Sequence, residues 1–144
     1  MEAWEVAARE TIRDLVARYA QLADRGRFAD LAALFTDDGV LEVNDRPPAR
    51  GREAILALLT GASDTLAAAS PTRLVRHHVA SVVVDVASPD SATASAYFLV
   101  VTDVGPDHWG RYRDQLVQQA GRWLFRHRRV RTDGHAPGSR LARG

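Results

Sequence analysis

Trp109-Gly110-Arg111-Tyr112-Arg113-Asp114-Gln115-Leu116-Val117-Gln118-Gln119, then Ala120-Gly121, then Arg122-Trp123-Leu124-Phe125-Arg126-His127-Arg128-Arg129-Val130-Arg131-Thr132, is the stretch from which the fold can be read. Two segments of β character flank a two-residue link with glycine second, the signature of a tight hairpin. Pairing Gln119 with Arg122 sets Gln118 opposite Trp123, Leu116 opposite Phe125, Asp114 opposite His127 and Tyr112 opposite Arg129. The face with Trp123, Phe125, Leu116 and Tyr112 is expected to be buried, and the face with Arg111, Arg113, Arg126 and Arg128 solvated or against a partner.

The same period of two runs back through Ala92–Val104 and Val75–Ala87, joined at Ser88-Pro89-Asp90-Ser91. Before Pro71 the pattern is helical. Ile12, Leu15, Val16, Tyr19, Leu22 and Ala23 form one apolar stripe on a helix from about Ala3 to Asp24, stopped by Gly26. A short helix follows from Arg27 to Phe35, then a strand at Val40–Val43, a loop from Asn44 to Arg50, and a third helix opening at Gly51-Arg52-Glu53. Thr60-Gly61 is read as its break, with Ala62 to Ser70 as a helical lid. Helices first and consecutive strands after argue for an α+β domain over 1–133: a curved, mostly antiparallel sheet with helices on one face, closing a pocket over a small apolar molecule. The tail 134–144 carries Gly, Pro, Ser and Arg and is expected to be disordered.

Composition limits the function. The 144 residues suit one domain and contain no cysteine, which removes disulfides, thiolate metal sites and thiol nucleophiles. The five histidines show no metal-ligand spacing, and His77 and His78, adjacent on a strand, should point to opposite faces. Nineteen basic against eighteen acidic residues leave a net charge of +1, with no general pull toward nucleic acid or membrane. No apolar run approaches a membrane span, and the acidic start Met1-Glu2-Ala3-Trp4-Glu5 is unlike a signal peptide, so a cytoplasmic location is the expectation. Neither a phosphate-binding glycine loop nor a redox or metal set is present, so no cofactor is expected.

Pairing Ala87 with Ala92 places His78 opposite Val101, with Asp103 as its diagonal neighbour. Asp24 is an acid in the last turn of a helix, where the macrodipole disfavours it, so a partner is required: His78, or equally Arg25 or Arg27.

Tyr19-Ala20-Gln21-Leu22-Ala23-Asp24, Phe28 to Gly39, Gly51-Arg52-Glu53-Ala54-Ile55, Gly110-Arg111-Tyr112 and Gly121-Arg122-Trp123-Leu124-Phe125 together resemble SnoaL-like domains of the nuclear-transport-factor-2-like superfamily. The resemblance implies a cone, with the sheet wrapped around three helices and enclosing a deep apolar cavity, and a homodimer or homotrimer. The branch with this helix ending includes scytalone dehydratase, hexachlorocyclohexane dehydrochlorinase and the bile-acid 7α-dehydratases. It implies an Asp–His dyad at Asp24 and His78, with Tyr19 and Asp103 matching further catalytic positions of the bile-acid enzymes. In scytalone dehydratase the last of these is a histidine. The reading is therefore a cofactor-free lyase, isomerase or cyclase (dehydratase type) of secondary metabolism, acting on a small cyclic or polyketide-like metabolite. A binding or assembly module, or a cyclase or hydrolase using Asp103, is the alternative. Phe35, Leu41, Tyr97, Leu99, Trp109, Tyr112, Trp123, Phe125 and His127 are the expected substrate-binding residues.

Overall fold

The computed structural model describes residues 1–141. Helix α1 (Ala3–Asp24) forms because Ala8, Ile12, Leu15, Val16, Tyr19 and Ala20 fall on one face and bury it. At its start the Glu5 carboxylate accepts the Glu2 backbone N–H at 2.7 Å, satisfying a donor that the first turn leaves free. Helix α2 (Phe28–Ala32) is shorter than expected, because Phe35 already opens strand β1 (Phe35–Val43). Strand β2 (Ala49–Arg50) takes two residues of the expected loop. Helix α3 (Arg52–Ala69) is continuous. Gly61 does not break it, since a glycine costs a helix interior only about 1 kcal/mol, so the expected separate lid is its second half.

Four long strands follow: β3 (Arg76–Ser88), β4 (Ser91–Thr102), β5 (Gly105–Gln119) and β6 (Arg122–His135). The sheet order is β2-β1-β6-β5-β4-β3. All neighbours are antiparallel except β1 and β6. The helices cover one face of this open sheet. Ile12, Leu31, Phe35, Leu41, Ile55 and Phe125 are fully buried between them.

Bulges decide which side chains face the helices. The hairpin pairs Gln119 with Arg122 and Leu116 with Phe125 as expected, but the register then shifts, so that Asp114 meets Arg128 and Gln115 meets His127. The inserted residue is Arg126, which turns Arg128 inward and His127 outward. On β3, Ser81 takes a positive φ of 54° and the register against β4 shifts between Ala80 and Val83. A second shift near Ser88 completes a displacement of two residues, so His78 pairs with Leu99 rather than Val101.

A shift of two preserves side-chain parity, and His78 therefore stays on the face of Tyr97 and Leu99. That face is the outer one. The inner face of β4 carries Ala92, Ala94, Ala96, Phe98, Val100 and Thr102, all buried. Tyr97 is 60% exposed. The start of the strand alternates inward alanines with outward Ser91, Thr93 and Ser95, whereas near its end both parities are apolar, Phe98 and Val100 inward and Tyr97, Leu99 and Val101 outward. Arg9 and Arg13 of α1 reach over to donate to the carbonyls of Val84 and Val82.

The structure also describes most of the expected tail. β6 runs to His135, and 136–141 folds back on the start of β5; residues 142–144 of that expectation lie outside the described residues. Close approach in this region demands glycine. A Cβ on Gly110 would lie 1.9 Å from the Arg131 carbonyl oxygen, and one on Gly134 would meet the Trp109 indole at 2.8 Å.

Candidate active site

A cavity of about 800 Å³ opens between α1, α3 and the inner face of the sheet. Leu41, Leu58, Leu59 and Val130 give it apolar walls. Tyr19 and Tyr112 lie at its base, edge to face with centroids 6.1 Å apart. Asn44, Asp45, Arg46 and Arg131 also line it. Its volume is of the size that takes a drug-sized molecule.

Asp24 is the last residue of α1, and its carboxylate reaches the start of β3. There it accepts the His77 backbone N–H, at 3.1 Å to each oxygen, and the His77 ring Nδ1 at 2.6 Å. These contacts offset the unfavourable position of an acid at a helix C-terminus. They also select the tautomer of the neutral ring, with the hydrogen on Nδ1 facing Asp24 and the lone pair on Nε2. The imidazole lines the cavity. Asp24 thus has a histidine partner, but it is His77 and not His78. His78 lies on the outer face and is exposed.

A second carboxylate–imidazole pair lies two strands away. Asp107 occupies a bulge at the start of β5, where the pairing with β4 jumps from Val100↔His108 to Val101↔Pro106. Its carboxylate is fully buried and accepts Thr102 Oγ at 2.7 Å, His108 Nδ1 at 2.8 Å, the Arg140 N–H at 2.8 Å and the Ser139 hydroxyl. Burial alone would raise its pKa, but these four donors outweigh it and hold the carboxyl down to about 2. The His108 ring lines the cavity, edge-on to Phe98. Burial holds its pKa below the ordinary histidine value, against the pull of Asp107.

Beneath the tyrosines lies a buried ion pair. Arg128 Nε and Nη2 donate to the two Asp114 oxygens at 2.8 and 2.9 Å, with both side chains fully enclosed. The guanidinium packs 3.8 Å from the Tyr112 centroid and 4.3 Å from that of Tyr19. Burial alone would lower the Arg128 pKa, and Asp114 more than offsets it. Burial pushes both phenols up, against the neighbouring cation, so both hydroxyls stay protonated as donors at neutral pH.

Of the expected site residues, Tyr19, Leu41 and Tyr112 line the cavity and Asp24 stands behind it through His77. Phe35, Trp123 and Phe125 are buried in the core. Tyr97, Leu99, Trp109 and His127 belong to the outer side of the sheet, where His127 donates to Glu42 at 2.6 Å rather than to Asp114. Asp103 falls just past β4. It is paired with Arg140 at 2.7 Å and with the Ser70 hydroxyl at 3.1 Å, and the Arg140 contact lowers its pKa. It does not face the cavity. Sequence reasoning missed His77, Phe98, Asp107, His108 and His135. The one available signal for the second pair was an Asp-His dipeptide beside a tryptophan at the head of a strand.

Residues 4–129 match the SnoaL-like domain family. The chain belongs to that family. No curated protein matches it. Among solved structures it is similar to an NTF2-like protein with a cystatin-like fold from Novosphingobium aromaticivorans (30% identity, 87% of this chain and 81% of that one, TM-score 0.76). It is similar at 25% identity to a protein of the same organism provisionally assigned as a scytalone dehydratase (96% and 95%, TM-score 0.78). It is also similar to a Catenulispora acidiphila protein whose structure holds a small molecule, S-DNPA (30%, 89% and 95%, TM-score 0.75). The fold is that of the NTF2-like superfamily. Among the described residues no helix is long and apolar enough to cross a membrane, and no cluster of acidic and histidine side chains is arranged to hold a metal.

Proposed function

We propose that this SnoaL-like domain is a cofactor-independent lyase or isomerase of dehydratase type, with Asp24 and His77 as its acid–base dyad. The observation that carries the reading is the double grip of Asp24 on His77, backbone and ring together. A carboxylate on Nδ1 orients the ring, turns Nε2 toward the cavity and faces the imidazolium formed when Nε2 takes a proton. In a water elimination, His77 Nε2 removes the hydrogen next to a carbonyl, the C–H pair becomes the new double bond, and the C–O bond breaks. The leaving oxygen takes a proton back as water. The Tyr19 and Tyr112 phenols are suited to donate to the carbonyl oxygen, where negative charge develops. Apolar walls strengthen those contacts by excluding solvent. The likeness to a protein provisionally assigned as a scytalone dehydratase supports a cyclic hydroxyketone as substrate class.

The test follows exchange of the C2 hydrogens of 1-tetralone in D2O by NMR, and loss of water from 3-hydroxy-1-tetralone by absorbance. The expected result is acceleration by the wild type and its loss in His77→Ala. Equal activity in His77→Ala would remove the dyad mechanism. Inactivity of the wild type in both assays would support a ligand-binding module instead.

A further inference from the structure

His77 on β3 pairs with Val100 on β4, Val100 pairs with His108 on β5, and His108 pairs with His135 on β6. Residues directly opposite each other in antiparallel strands share a face, so one register row across the inner face reads His-Val-His-His. All three imidazoles line the cavity. The backbones of His77 and His108 are two strand spacings apart, about 10 Å, with the fully buried Val100 between them.

The first two imidazoles are held alike. Each gives Nδ1 to a carboxylate, Asp24 or Asp107, which leaves Nε2 as the nitrogen open to the cavity. The carboxylate behind His108 is the more firmly fixed, since the tail supplies two of its donors. Nothing in the acid–base reading above uses this second pair, yet its geometry repeats the first.

From this row we infer that His108 Nε2 is the acceptor for a hydroxyl group of the substrate, and that the molecule processed by His77 therefore carries an alcohol, enol or phenol O–H at its far end, across Val100. The inference rests on the proposed Asp24–His77 chemistry for the other end of the molecule. Burial favours the neutral imidazole at pH 7, and with Nδ1–H committed to Asp107 a neutral ring at 108 can only accept at Nε2. A molecule that presents an ether or a hydrogen there leaves a desolvated acceptor unpaired, so the penalty falls on the missing O–H and not on size.

The experiment compares binding of 2-naphthol and 2-fluoronaphthalene, near-isosteres with and without the donor. It uses the wild type, His108→Phe and His77→Phe. The wild type should prefer 2-naphthol by at least about tenfold. The preference should vanish in His108→Phe and survive in His77→Phe, whereas a merely structural His108 would change both affinities together. A wild type without preference, or a preference that persists in His108→Phe, overturns the inference. A preference lost in both variants also overturns it, because the selectivity for the O–H is then not specific to His108. Should His108→Phe fail to fold, long-range 1H–15N spectra of the wild type decide the matter. Hydrogen on Nδ1 of His108 at pH 7 is required, and hydrogen on Nε2 overturns the assignment. None of these readings depends on turnover, so failure here leaves the dyad to its own test, and failure of the dyad leaves the naphthol preference measurable.

Discussion

The Asp24 carboxylate holds His77 by two different hydrogens, the backbone N–H at 3.1 Å and the ring Nδ1–H at 2.6 Å. The first places the strand end against the helix end, and the second orients the ring. Fold and site therefore share one contact, and neighbouring histidines are not interchangeable: His78 points away from the helices.

This sets the first prediction. His77→Ala and Asp24→Asn should each reduce proton exchange from 1-tetralone by roughly 10²- to 10⁴-fold, the usual share of a positioned acid–base group. His78→Ala should stay within about twofold of wild type. NMR exchange rates of the three variants, read beside their melting curves, check it. Equal losses in His77→Ala and His78→Ala would mean that the dyad is not the base.

The buried Asp114–Arg128 pair sets the second. Removing one partner strands a charge that has no water to meet, a cost of about 3–5 kcal/mol. For a domain of this size Asp114→Ala should lower Tm by roughly 10–15 °C. Asp114→Leu with Arg128→Met should restore much of that, because two apolar side chains of similar volume leave no charge stranded. Thermal unfolding by circular dichroism reads both. The restored double variant should still lose activity, since the cation beneath Tyr19 and Tyr112 is gone.

Why part of this was legible in the sequence and part was not has a physical basis. Asp24 stood out because an acid in a last turn needs a partner, and the stripe of α1 fixed where that turn ends. The hairpin turn at Ala120-Gly121 gave the pairing as far as Leu116↔Phe125. Beyond it the run Arg126-His127-Arg128-Arg129 is polar at every position, so no alternation marks the bulge at Arg126 or singles out Arg128 as buried. On β4 the outer parity ends in Tyr97, Leu99 and Val101, bulkier than the inward alanines, so size alone points to the wrong face. The Asp107–His108 pair depends on contacts with Ser139 and Arg140, some thirty residues downstream, which no local pattern encodes.

Acid should expose the role of Asp107. Its folded pKa of about 2 lies below that of an unfolded aspartate near 4, so the unfolded chain binds the proton more readily. The stabilisation is present above about pH 4 and is lost as pH falls from about 4 toward 2. His108 acts in the same direction at higher pH. Its lowered folded pKa means that protonation favours unfolding, so stability should begin to fall as pH drops below the ordinary value of about 6.5. Melting curves from pH 8 to 2 should show both declines. The upper one should be absent in His108→Phe and the lower one reduced in Asp107→Asn. Identical profiles for wild type and variants would show that these groups titrate alike in both states.

The returning tail sets the last prediction. Beyond His135 the chain gives the Asp107 carboxylate the Ser139 hydroxyl and the Arg140 N–H, gives the Asp107 carbonyl the Ala136 N–H, pairs Arg140 with Asp103 and lines the cavity with Leu141. The six strands end before it, and Leu141 is its one apolar side chain packed against the core. A chain ending at His135 should therefore fold, with the far-ultraviolet spectrum of the full chain. It should be less stable by about 1–3 kcal/mol, the cost of leaving a desolvated carboxylate short of donors. Arg140→Ala removes only the side-chain pair with Asp103 and keeps the backbone donor, so it should cost far less than the truncation, as solvent-screened ion pairs do. The truncation should also lower the 2-naphthol preference, because Asp107 no longer holds the ring of His108 rigidly. Denaturant titration and the naphthol assay measure the two effects. If the truncated chain matched the full chain in both, the tail would be a passenger on the surface and not the outer support of the second imidazole.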